Sequence, residues 1–561
     1  MRAADWVVLI ATLLFIVAYG LWKGRRQGGL DAYLLADRQL RWWTVALSIM
    51  ATQASAITFL STPGQAYVDG MRFLQFYLGL PIAMVILSIT AVPIYHRLKV
   101  YTAYEYLETR FGVGTRTLTS MLFLIQRGVS TGITLYAPAL IVSVILGWNI
   151  HVTTIATGAL VILYTASGGT RAVSWTHVHQ LLIALAGMTV ALVIAVHSVP
   201  VSFFDAVRVA GRMGRLNAID FSFDVTTPYN FWSGIFGGLL VALSYFGTDQ
   251  SQVQRYLTGS SVAESRMGLL FNGFVKVPMQ FFILFVGAMV FVFYQFVAPP
   301  LFFNPVERAR VASSRFGHEY AQLERQHEQI VAAKRSAALR LDTIRLRALQ
   351  RQESLVRDEA MKLMKRNDLA ADTNDTNYVF LAFVMRNLPA GVVGLVLAAI
   401  FCAAMSATAS GLNSLASTSV IDVYRRLIVR DATEHHYVGV SKWLTVLWGV
   451  FGIAFAEFAS RLGSLVEAVN KLGSLFYGTI LAIFLLAFYS KSVSGTAAFT
   501  GALLGESAVA LCAAFTNMAW LWWNVIGCVV GVVAALGIER LLRPAPIAVP
   551  TNGRRRNQAP L

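Results

Sequence analysis

The tract from Ser48 to Tyr67 carries the side chains best suited to binding a ligand. It reads SIMATQASAITFLSTPGQAY, and six hydroxyl or amide side chains fall within eleven residues of an otherwise apolar run. Small residues alone would serve helix packing, but that many polar groups exceed what packing needs. We therefore interpret the tract as part of a binding site, and we expect its helix to break at Pro63–Gly64.

A second polar tract runs from Ala398 to Tyr424, AAIFCAAMSATASGLNSLASTSVIDVY. Its hydroxyls could bond to carbonyls of their own helix. Beside the first tract, they would instead offer oxygen ligands to a small cation. Transporters form such sites where helices unwind near the membrane midplane, because free backbone carbonyls then line a cavity.

Three charged side chains accompany the apolar runs, where ionised groups are costly and indicate function. Arg127 lies ten residues into a run that begins at 117, Lys276 lies within another, and Asp249 ends a third. A guanidinium can bind a carboxylate through two parallel hydrogen bonds. This favours a small organic anion or polar metabolite as ligand. Alternatively, Asp249 and Lys276 pair with each other and hold two helices in register.

Long apolar helices must position these groups. The chain has 561 residues, 56% hydrophobic and 13% charged, whereas soluble domains average about 25% charged. A membrane helix needs roughly 20 apolar residues. We count about thirteen such runs: 5–22, 42–68, 73–98, 117–146, 151–167, 176–199, 231–248, 268–296, 378–405, 438–459, 464–489, 495–517 and 519–541. The runs lack the alternation of β-barrel strands. The chain is therefore predicted to be an all-α, polytopic membrane protein.

The basic residues of the short loops predict the orientation. Most fall on one side if the N-terminus is outside and the C-terminus cytoplasmic, in the plasma (inner) membrane. Arg208, Arg212 and Arg215, in the loop at 200–230, contradict this pattern. The net charge of +17 thus reflects topology first. No basic domain or aromatic-basic motif indicates nucleic-acid binding, and the first run is predicted to be retained rather than cleaved.

One segment is hydrophilic. Between Tyr320 and Ile344, apolar residues recur at three- and four-residue spacing among many charges, which predicts one long helix or a helical hairpin. It is either a solvated loop insertion or a docking arm for a partner protein or second protomer. The predicted division of the chain is into membrane helices, this extracytoplasmic insertion, further membrane helices and a disordered basic cytoplasmic tail: 1–303, 304–376, 377–543 and 544–561.

The two polar tracts resemble those of the sodium:solute symporter family. Three further segments fit in the same order: YTASGGTRAVSW at Tyr164–Trp175, GTDQSQVQRYLTGSS at Gly247–Ser261 and GFVKVPMQF at Gly273–Phe281. The resemblance implies a LeuT-like core of ten helices in a 5+5 inverted repeat, with one leading and two trailing helices. It also implies a secondary active transporter that imports a small solute by sodium symport through alternating access, with no organic cofactor.

The resemblance further implies a sodium site. The carbonyls of Ala51, Ala54 and Ala403 would face the hydroxyl of Ser406. The family usually has a second Ser or Thr directly after that serine, but this chain has Ala407. A ligand is thus missing, and we expect Ser55 or a water to replace it.

A second departure concerns the ion that drives transport. Where the family often has Asp in a Trp/Tyr-Thr-Asp pattern, this chain has His177. Neutral histidine lacks the negative charge that favours a cation, but it binds and releases protons near neutral pH. We assign it to coupling or gating. Sodium symport is the first hypothesis, and proton-coupled or uncoupled transport is the alternative.

The family's central cavity corresponds to positions on several helices. The resemblance places Thr58, Gln75, Phe76, Asp249 and Lys276 around it. Together with Gln53 and Arg127, these are our candidate substrate-binding residues.

Other classes of protein are less well supported. A membrane enzyme would need a nucleophile with a base or a metal-ligand cluster, and neither HExxH nor GxSxG is present. A phosphate-binding loop for ATP is also absent. A sensor with a transporter-like core would append a long cytoplasmic region, whereas about twenty residues follow the last run.

Overall fold

A computed structural model describes residues 1–24, 29–369, 371–459 and 464–542. Within them the regular structure is helical, apart from one bridge between Leu40 and Gly259. The α-helices are α1 Ala3–Gly24, α2 Leu30–Leu35, α3 Trp42–Gln53, α4 Ala56–Asp69, α5 Leu80–Ile89, α6 Ala91–Leu98, α7 Ala103–Phe111, α8 Val113–Leu146, α9 Ile150–His197, α10 Phe203–Arg212, α11 Gly238–Gly247, α12 Gln250–Leu257, α13 Val262–Phe296, α14 Pro305–Ala312, α15 Gly317–Leu339, α16 Thr343–Asn367, α17 Thr376–Asn387, α18 Val392–Thr418, α19 Glu434–Ala459, α20 Leu465–Tyr489, α21 Gly495–Phe515 and α22 Trp520–Leu542. Two 3₁₀ segments, Ala36–Arg38 and Gly70–Tyr77, and two π segments, Ser233–Gly237 and Ser419–Ile428, complete the list. The predicted tail at 544–561 lies outside the described residues.

Ten helical stretches of the described chain are long and apolar enough to cross a membrane. They are Ala3–Gly20, Ala56–Leu98, Val113–Leu146, Thr170–His197, Val262–Phe296, Val392–Ile428, Glu434–Ala459, Leu465–Tyr489, Gly495–Phe515 and Trp520–Leu542. Two shorter apolar helices, Ile150–Leu163 and Ser233–Gly247, accompany them. The all-α membrane class is confirmed, but the number thirteen is not.

The count differs because sequence runs and helices do not correspond one to one. The run 42–68 is split into α3 and α4, whereas the run 151–167 and all but the last two residues of the run 176–199 lie within α9. The run 378–405 is divided between α17 and α18. Pro389 and Gly391 fall in that division, and Gly391 has a φ of +84°, a backbone conformation that favours glycine.

Helix α18 lies at the centre of the helix bundle. In Val392–Ile428, 83% of the most apolar window is buried inside the protein, against 22% for the first helix. α18 packs against α1, α3, α4, α8 and α9. Its many Ala, Ser and Thr residues explain this position, because small side chains let helix backbones approach closely within a membrane.

Glycine allows a similarly close contact between α4 and α13. A Cβ atom at Gly287 would lie 2.2 Å from the carbonyl oxygen of Pro63. This contact places α13 directly against the middle of α4.

The hydrophilic segment folds as a hairpin of α15 and α16, preceded by α14. Near its base, Tyr320, Leu363 and Met364 belong to a small apolar cluster of their own. Near its tip, Ala337 and Leu346 belong to the same buried cluster as the membrane helices. The hairpin therefore packs onto the membrane domain.

The predicted apolar stripe holds only within α15. Tyr320 and Ala337 are buried, whereas Ile344 is 83% exposed. The chain turns at Arg340–Asp342, so α16 starts with a new orientation, and a periodicity continued from α15 no longer predicts its buried face.

Candidate functional site

The first candidate region is the interruption between α3 and α4. α3 ends at Gln53, Ala54 leaves the helical conformation with a ψ of 72°, and Ser55 is extended. The predicted break at Pro63–Gly64 is wrong, because both residues lie inside α4. Tightly packed neighbours such as Gly287 allow a membrane helix to retain a proline.

Oxygen atoms of α3 and α18 converge beside this interruption. The hydroxyl of Ser406 lies 3.3 Å from the carbonyl oxygen of Ala51 and 2.9 Å from that of Ala403. Three of the predicted sodium ligands thus meet across two helices. One turn further along α18, Ser410 accepts a 3.2 Å hydrogen bond from Thr52, which holds the same two helices together.

The remaining residues predicted for sodium lie on the same interruption. Ala54 is buried, and Ser55 lines the adjoining cavity. Ala407 is half-buried between the buried Ser406 and Thr408. Within the described chain, no group of three or more His, Cys, Asp or Glu side chains could hold a metal ion. A cation here would be bound by carbonyl and hydroxyl oxygens, as at unwound transporter helices.

His177, on α9, connects both walls of this region. It is fully buried, with Nδ1 3.0 Å from the Ser48 hydroxyl and Nε2 3.1 Å from the carbonyl oxygen of Ser406. A carbonyl oxygen can only accept, so Nε2 carries a proton. In the neutral ring, Nδ1 then accepts from Ser48. His177 thereby fixes the backbone of Ser406 relative to α3.

The second interruption separates α11 from α12 at Thr248 and Asp249. The carboxylate of Asp249 caps α12, accepting hydrogen bonds from the backbone N–H and hydroxyl of Ser251 at 2.9 and 2.7 Å. Its other oxygen forms an ion pair with the guanidinium of Arg127. The alternative pairing of Asp249 with Lys276 is therefore wrong.

Two tyrosines surround the Arg127–Asp249 pair. The Tyr477 hydroxyl lies 3.3 Å from both the guanidinium and the carboxylate. The ring of Tyr245 lies 5.4 Å from the guanidinium carbon. The pair is nearly excluded from solvent, with side-chain exposures of 12% for Arg127 and 1% for Asp249.

Lys276 is fully buried on α13. Its Nζ makes no hydrogen bond within the described chain and lies 5.6 Å from the centre of the Tyr77 ring. A buried ammonium held by one aromatic face is a costly arrangement. It lies directly behind a residue that lines the cavity.

A cavity of about 100 Å³ lies between the two interruptions. Its walls are aromatic and apolar with several polar groups: Gln53, Ser55, Ile57, Thr58, Phe76, Tyr77, Leu80, Arg127, Gly238, Val241, Ala242, Tyr245, Phe246, Val466, Val469, Asn470 and Tyr477.

The predicted substrate-binding residues divide into two groups. Gln53, Thr58, Phe76 and Arg127 line the cavity; Gln75, Asp249 and Lys276 do not. The amide of Gln75 instead accepts from the backbone N–H of Asp220 and donates to the carbonyl of Tyr229, at 2.8 and 2.9 Å. Both polar atoms of the Gln75 side chain therefore bond to the loop that precedes α11.

Sequence reasoning missed the aromatic walls and Asn470. Tyr245 lies just before the Gly247–Ser261 motif, and Tyr477 lies within an ordinary apolar run. Tyrosines in such runs are common packing residues. Their role depends on Arg127, which is 118 positions from Tyr245 (245 − 127) and 350 from Tyr477. No local signal distinguishes them.

Comparisons with known proteins identify the family of this chain. The model of the sodium:solute symporter family matches residues 33–321 and 359–505. The human sodium/iodide cotransporter is 27% identical over 87% of this chain, which spans 66% of that relative's length. The mouse sodium-coupled monocarboxylate transporter 1 is 27% identical over 89% of this chain and 71% of its own.

A solved structure shows the same fold. It is a Na⁺-coupled sialic acid symporter in a substrate-bound, outward-open state, with a TM-score of 0.76 and 22% identity. The match covers 97% of this chain and 99% of that one.

Proposed function

Because the chain belongs to the sodium:solute symporter family, we propose that it imports a small polar or anionic organic solute together with sodium. The relatives named above are sodium-coupled transporters, and the chain is a multi-pass membrane transporter rather than an enzyme. Transport would proceed by alternating access, with the cavity exposed first to one side of the membrane and then to the other.

The proposed sodium site lies where α3 meets α18. The observation that carries it is the position of the Ser406 hydroxyl, between the carbonyls of Ala51 and Ala403. A sodium ion there would replace the present hydrogen bonds by coordination to the same oxygens, with Ala54 and Ser55 supplying the others. Since the ligands come from two helices, binding would hold α3 against α18 and shape the adjoining cavity.

The proposed solute site is the cavity beside Arg127. Nε of this guanidinium makes no hydrogen bond within the described chain, whereas another of its nitrogens binds Asp249. A carboxylate could therefore bind Arg127 without displacing Asp249. The names of two relatives support an anion, since iodide and monocarboxylates are both negatively charged.

The other candidates would then have distinct roles. Gln53, Thr58 and Phe76 would contact the solute directly. Gln75 would hold the loop before α11, Asp249 would orient Arg127, and Lys276 would add positive charge behind Tyr77.

Proton-coupled or uncoupled transport is the alternative. Two observations favour it: Ala407 supplies no hydroxyl, and His177 binds the carbonyl of Ser406. A ring that exchanges protons at this position would act on the same pair of helices as sodium does in the first proposal.

Uptake into proteoliposomes distinguishes the two mechanisms. Sodium outside would be replaced by choline, at one acidic and one alkaline pH. Sodium symport predicts that choline abolishes uptake at both pH values. Full uptake in choline would overturn it. Uptake in choline that follows a pH gradient would indicate proton coupling, and uptake that depends on neither ion would indicate uncoupled transport. Protein-free liposomes serve as the control.

The solute is best found by thermal unfolding with candidate metabolites, with and without sodium, because a ligand stabilises the state it binds. Arg127→Lys then tests the anion proposal. Lysine keeps the charge beside Asp249 but lacks Nε–H and the planar fork. A carboxylate solute should bind this variant much more weakly than wild type, and unchanged affinity would refute the role of Arg127.

The proposed orientation has the N-terminus outside and the C-terminus inside the cell, in the plasma membrane. The exposed Leu355, on α16, offers a test. Leu355→Cys should react with a membrane-impermeant thiol reagent added to intact cells. Labelling only after permeabilisation would reverse the orientation.

A further inference from the structure

A basic surface joins α10 to the tip of the α15–α16 hairpin. It consists of Arg208 and Arg212 on α10 and Arg340, Arg345 and Arg347 around the tip, all exposed. We call these five residues the basic patch. Arg208 also forms an ion pair with Asp205 on its own helix. Arg208 and Arg212 are two of the three residues that contradict the positive-inside pattern, so their placement requires a physical reason.

The hairpin tip is held against the membrane helices. Nε of Arg347 donates a 2.8 Å hydrogen bond to the carbonyl oxygen of Arg212, at the end of α10. Ala337, Ala338 and Leu346, which flank the tip, are buried in the cluster formed by the membrane helices. The tip is thus fixed beside α10 and does not extend away from the bundle.

α10 packs against α13, which is long and apolar enough to cross a membrane. α10 follows α9 after five residues, and its Phe203 ring lies 6.4 Å from the ring of Phe285, which is eleven positions before the end of α13. Phe204 is 79% exposed beside it. Exposed Phe side chains on a helix with a basic polar face are typical of helices that lie in the interface between headgroups and acyl chains.

The tip combines positive charge with apolar side chains. Leu339, directly before Arg340, is 52% exposed, and Ile344, directly before Arg345, is 83% exposed. Asp342 is the one acidic residue between Leu339 and Ile344. Its carboxylate accepts a hydrogen bond from the backbone N–H of Arg345 and so caps α16. Basic and apolar side chains together fit the boundary between lipid headgroups and acyl chains.

We propose that the basic patch binds anionic lipid headgroups in the leaflet at the C-terminal end of α13, with Leu339 and Ile344 inserted among them. The family match omits 322–358, the stretch that contains the hairpin tip. The part of the patch at the hairpin tip therefore lies outside the segments that the family model matches, whereas Arg208 and Arg212 lie within them. Lipid binding would anchor the hairpin to the bilayer as well as to the protein.

Fluorescence of the full-length protein tests this. A polarity-sensitive dye would be attached to Ile344→Cys, with Cys512, the half-buried native thiol, replaced by serine. The matched control is Leu355→Cys, 65% exposed on the same helix. Each protein would be placed, one copy per disc, in nanodiscs of phosphatidylcholine with or without phosphatidylglycerol.

The expected result is a shift to shorter wavelength at position 344 in phosphatidylglycerol, with none at 355. Arg340→Glu combined with Arg345→Glu should abolish the shift, and high salt should reduce it because exposed charges are screened. An identical thermal unfolding curve would show that this variant is folded. Equal emission in both lipids would overturn the proposal, as would a shift that appears only with two copies per disc.

Discussion

The interruption between α3 and α4 and the interruption between α11 and α12 differ in the groups that lie beside their free backbone. Between α3 and α4, Ala54 and Ser55 supply no side-chain cap, and the oxygens nearby belong to carbonyls and hydroxyls. Between α11 and α12, the carboxylate of Asp249 caps α12 and simultaneously pairs with Arg127. The first interruption is neutral and its oxygens are available, whereas the second is charged and internally balanced.

This difference indicates a division of labour. A group of neutral oxygens can bind a small cation, and no buried charge is left uncompensated when the cation is absent. A buried carboxylate and guanidinium must instead remain paired, because each alone would be an uncompensated charge. The second interruption is therefore suited to forming a rigid, charged side of the solute cavity. The first interruption is suited to binding a cation in a way that changes helix packing.

Removing the carboxylate of the charged interruption should have the largest effect. Asp249→Asn leaves Arg127 buried without its counter-ion, and breaking such a pair costs about 3–5 kcal/mol of stability. We expect a lower unfolding temperature and loss of uptake. The exposed Asp358→Asn, on α16, is the control. Asp249→Asn combined with Arg127→Met should regain stability but not uptake; a stable, active single variant would contradict the pairing.

A comparable buried ion pair in the hairpin allows stability and transport to be tested separately. Lys334 lies 2.5 Å from Glu353 in the hairpin, and both are at least 97% buried, with exposures of 2% and 3%. Lys334→Met should also cost about 3–5 kcal/mol, since it leaves a buried carboxylate with His327 as its remaining partner in place of a lysine charge. Hydrogen exchange in α15 and α16 should rise, while sodium-dependent uptake is retained. The exposed Lys362→Met should change neither; loss of uptake in Lys334→Met alone would give the hairpin a role in transport.

The same pair predicts how the hairpin responds to acid. Burial by itself raises the pKa of Glu353, but the charge of Lys334 and hydrogen bonds from His327 and Lys334 lower it from 4.5 to about 2. Because the folded-state pKa is the lower one, the stabilisation is complete above pH 4.5 and disappears as the pH falls towards 2. Hydrogen exchange within 317–367, corrected for the intrinsic exchange rate at each pH, should increase over that window. Corrected exchange that is independent of pH would contradict the pairing.

At the neutral interruption the expected effect is smaller. Ser406→Ala removes a hydroxyl that contacts two carbonyls, and losing one buried polar contact costs about 1–3 kcal/mol. The sodium concentration for half-maximal uptake should rise roughly tenfold, which corresponds to about 1.4 kcal/mol. Ser417→Ala removes a hydroxyl that bonds within α18 to Ser414, and it should leave this concentration unchanged.

The smallest expected effect is a gain. Ala407→Thr supplies the hydroxyl that the family usually has at this position. If the neutral interruption binds sodium with one ligand too few, half-maximal uptake by Ala407→Thr should need several-fold less sodium than uptake by the wild type. Ala409→Thr, two positions along α18, is a control for added bulk. A higher sodium requirement in Ala407→Thr would indicate that this position faces away from the ion.

The membrane class and the family were predictable from the sequence because both depend on local signals. Bilayer thickness sets the length of an apolar run, and a polar tract such as Ser48–Tyr67 is visible within one run. The convergence of Ala51, Ala403 and Ser406 was also anticipated, through the resemblance of two such tracts. The position of the first break was not, since Pro63 is retained within α4 by contacts with other helices.

Only the tertiary structure decided which charges meet. Arg127, Asp249 and Lys276 were all recognised as buried charges, but nothing in their spacing distinguishes the pair that forms from the pair that does not. The partner of Asp249 lies 122 positions away on α8 and is selected by how α8 packs against the α11–α12 break. Hydrophobic length is a property of one segment, whereas the pairing of buried charges is a property of the assembled bundle.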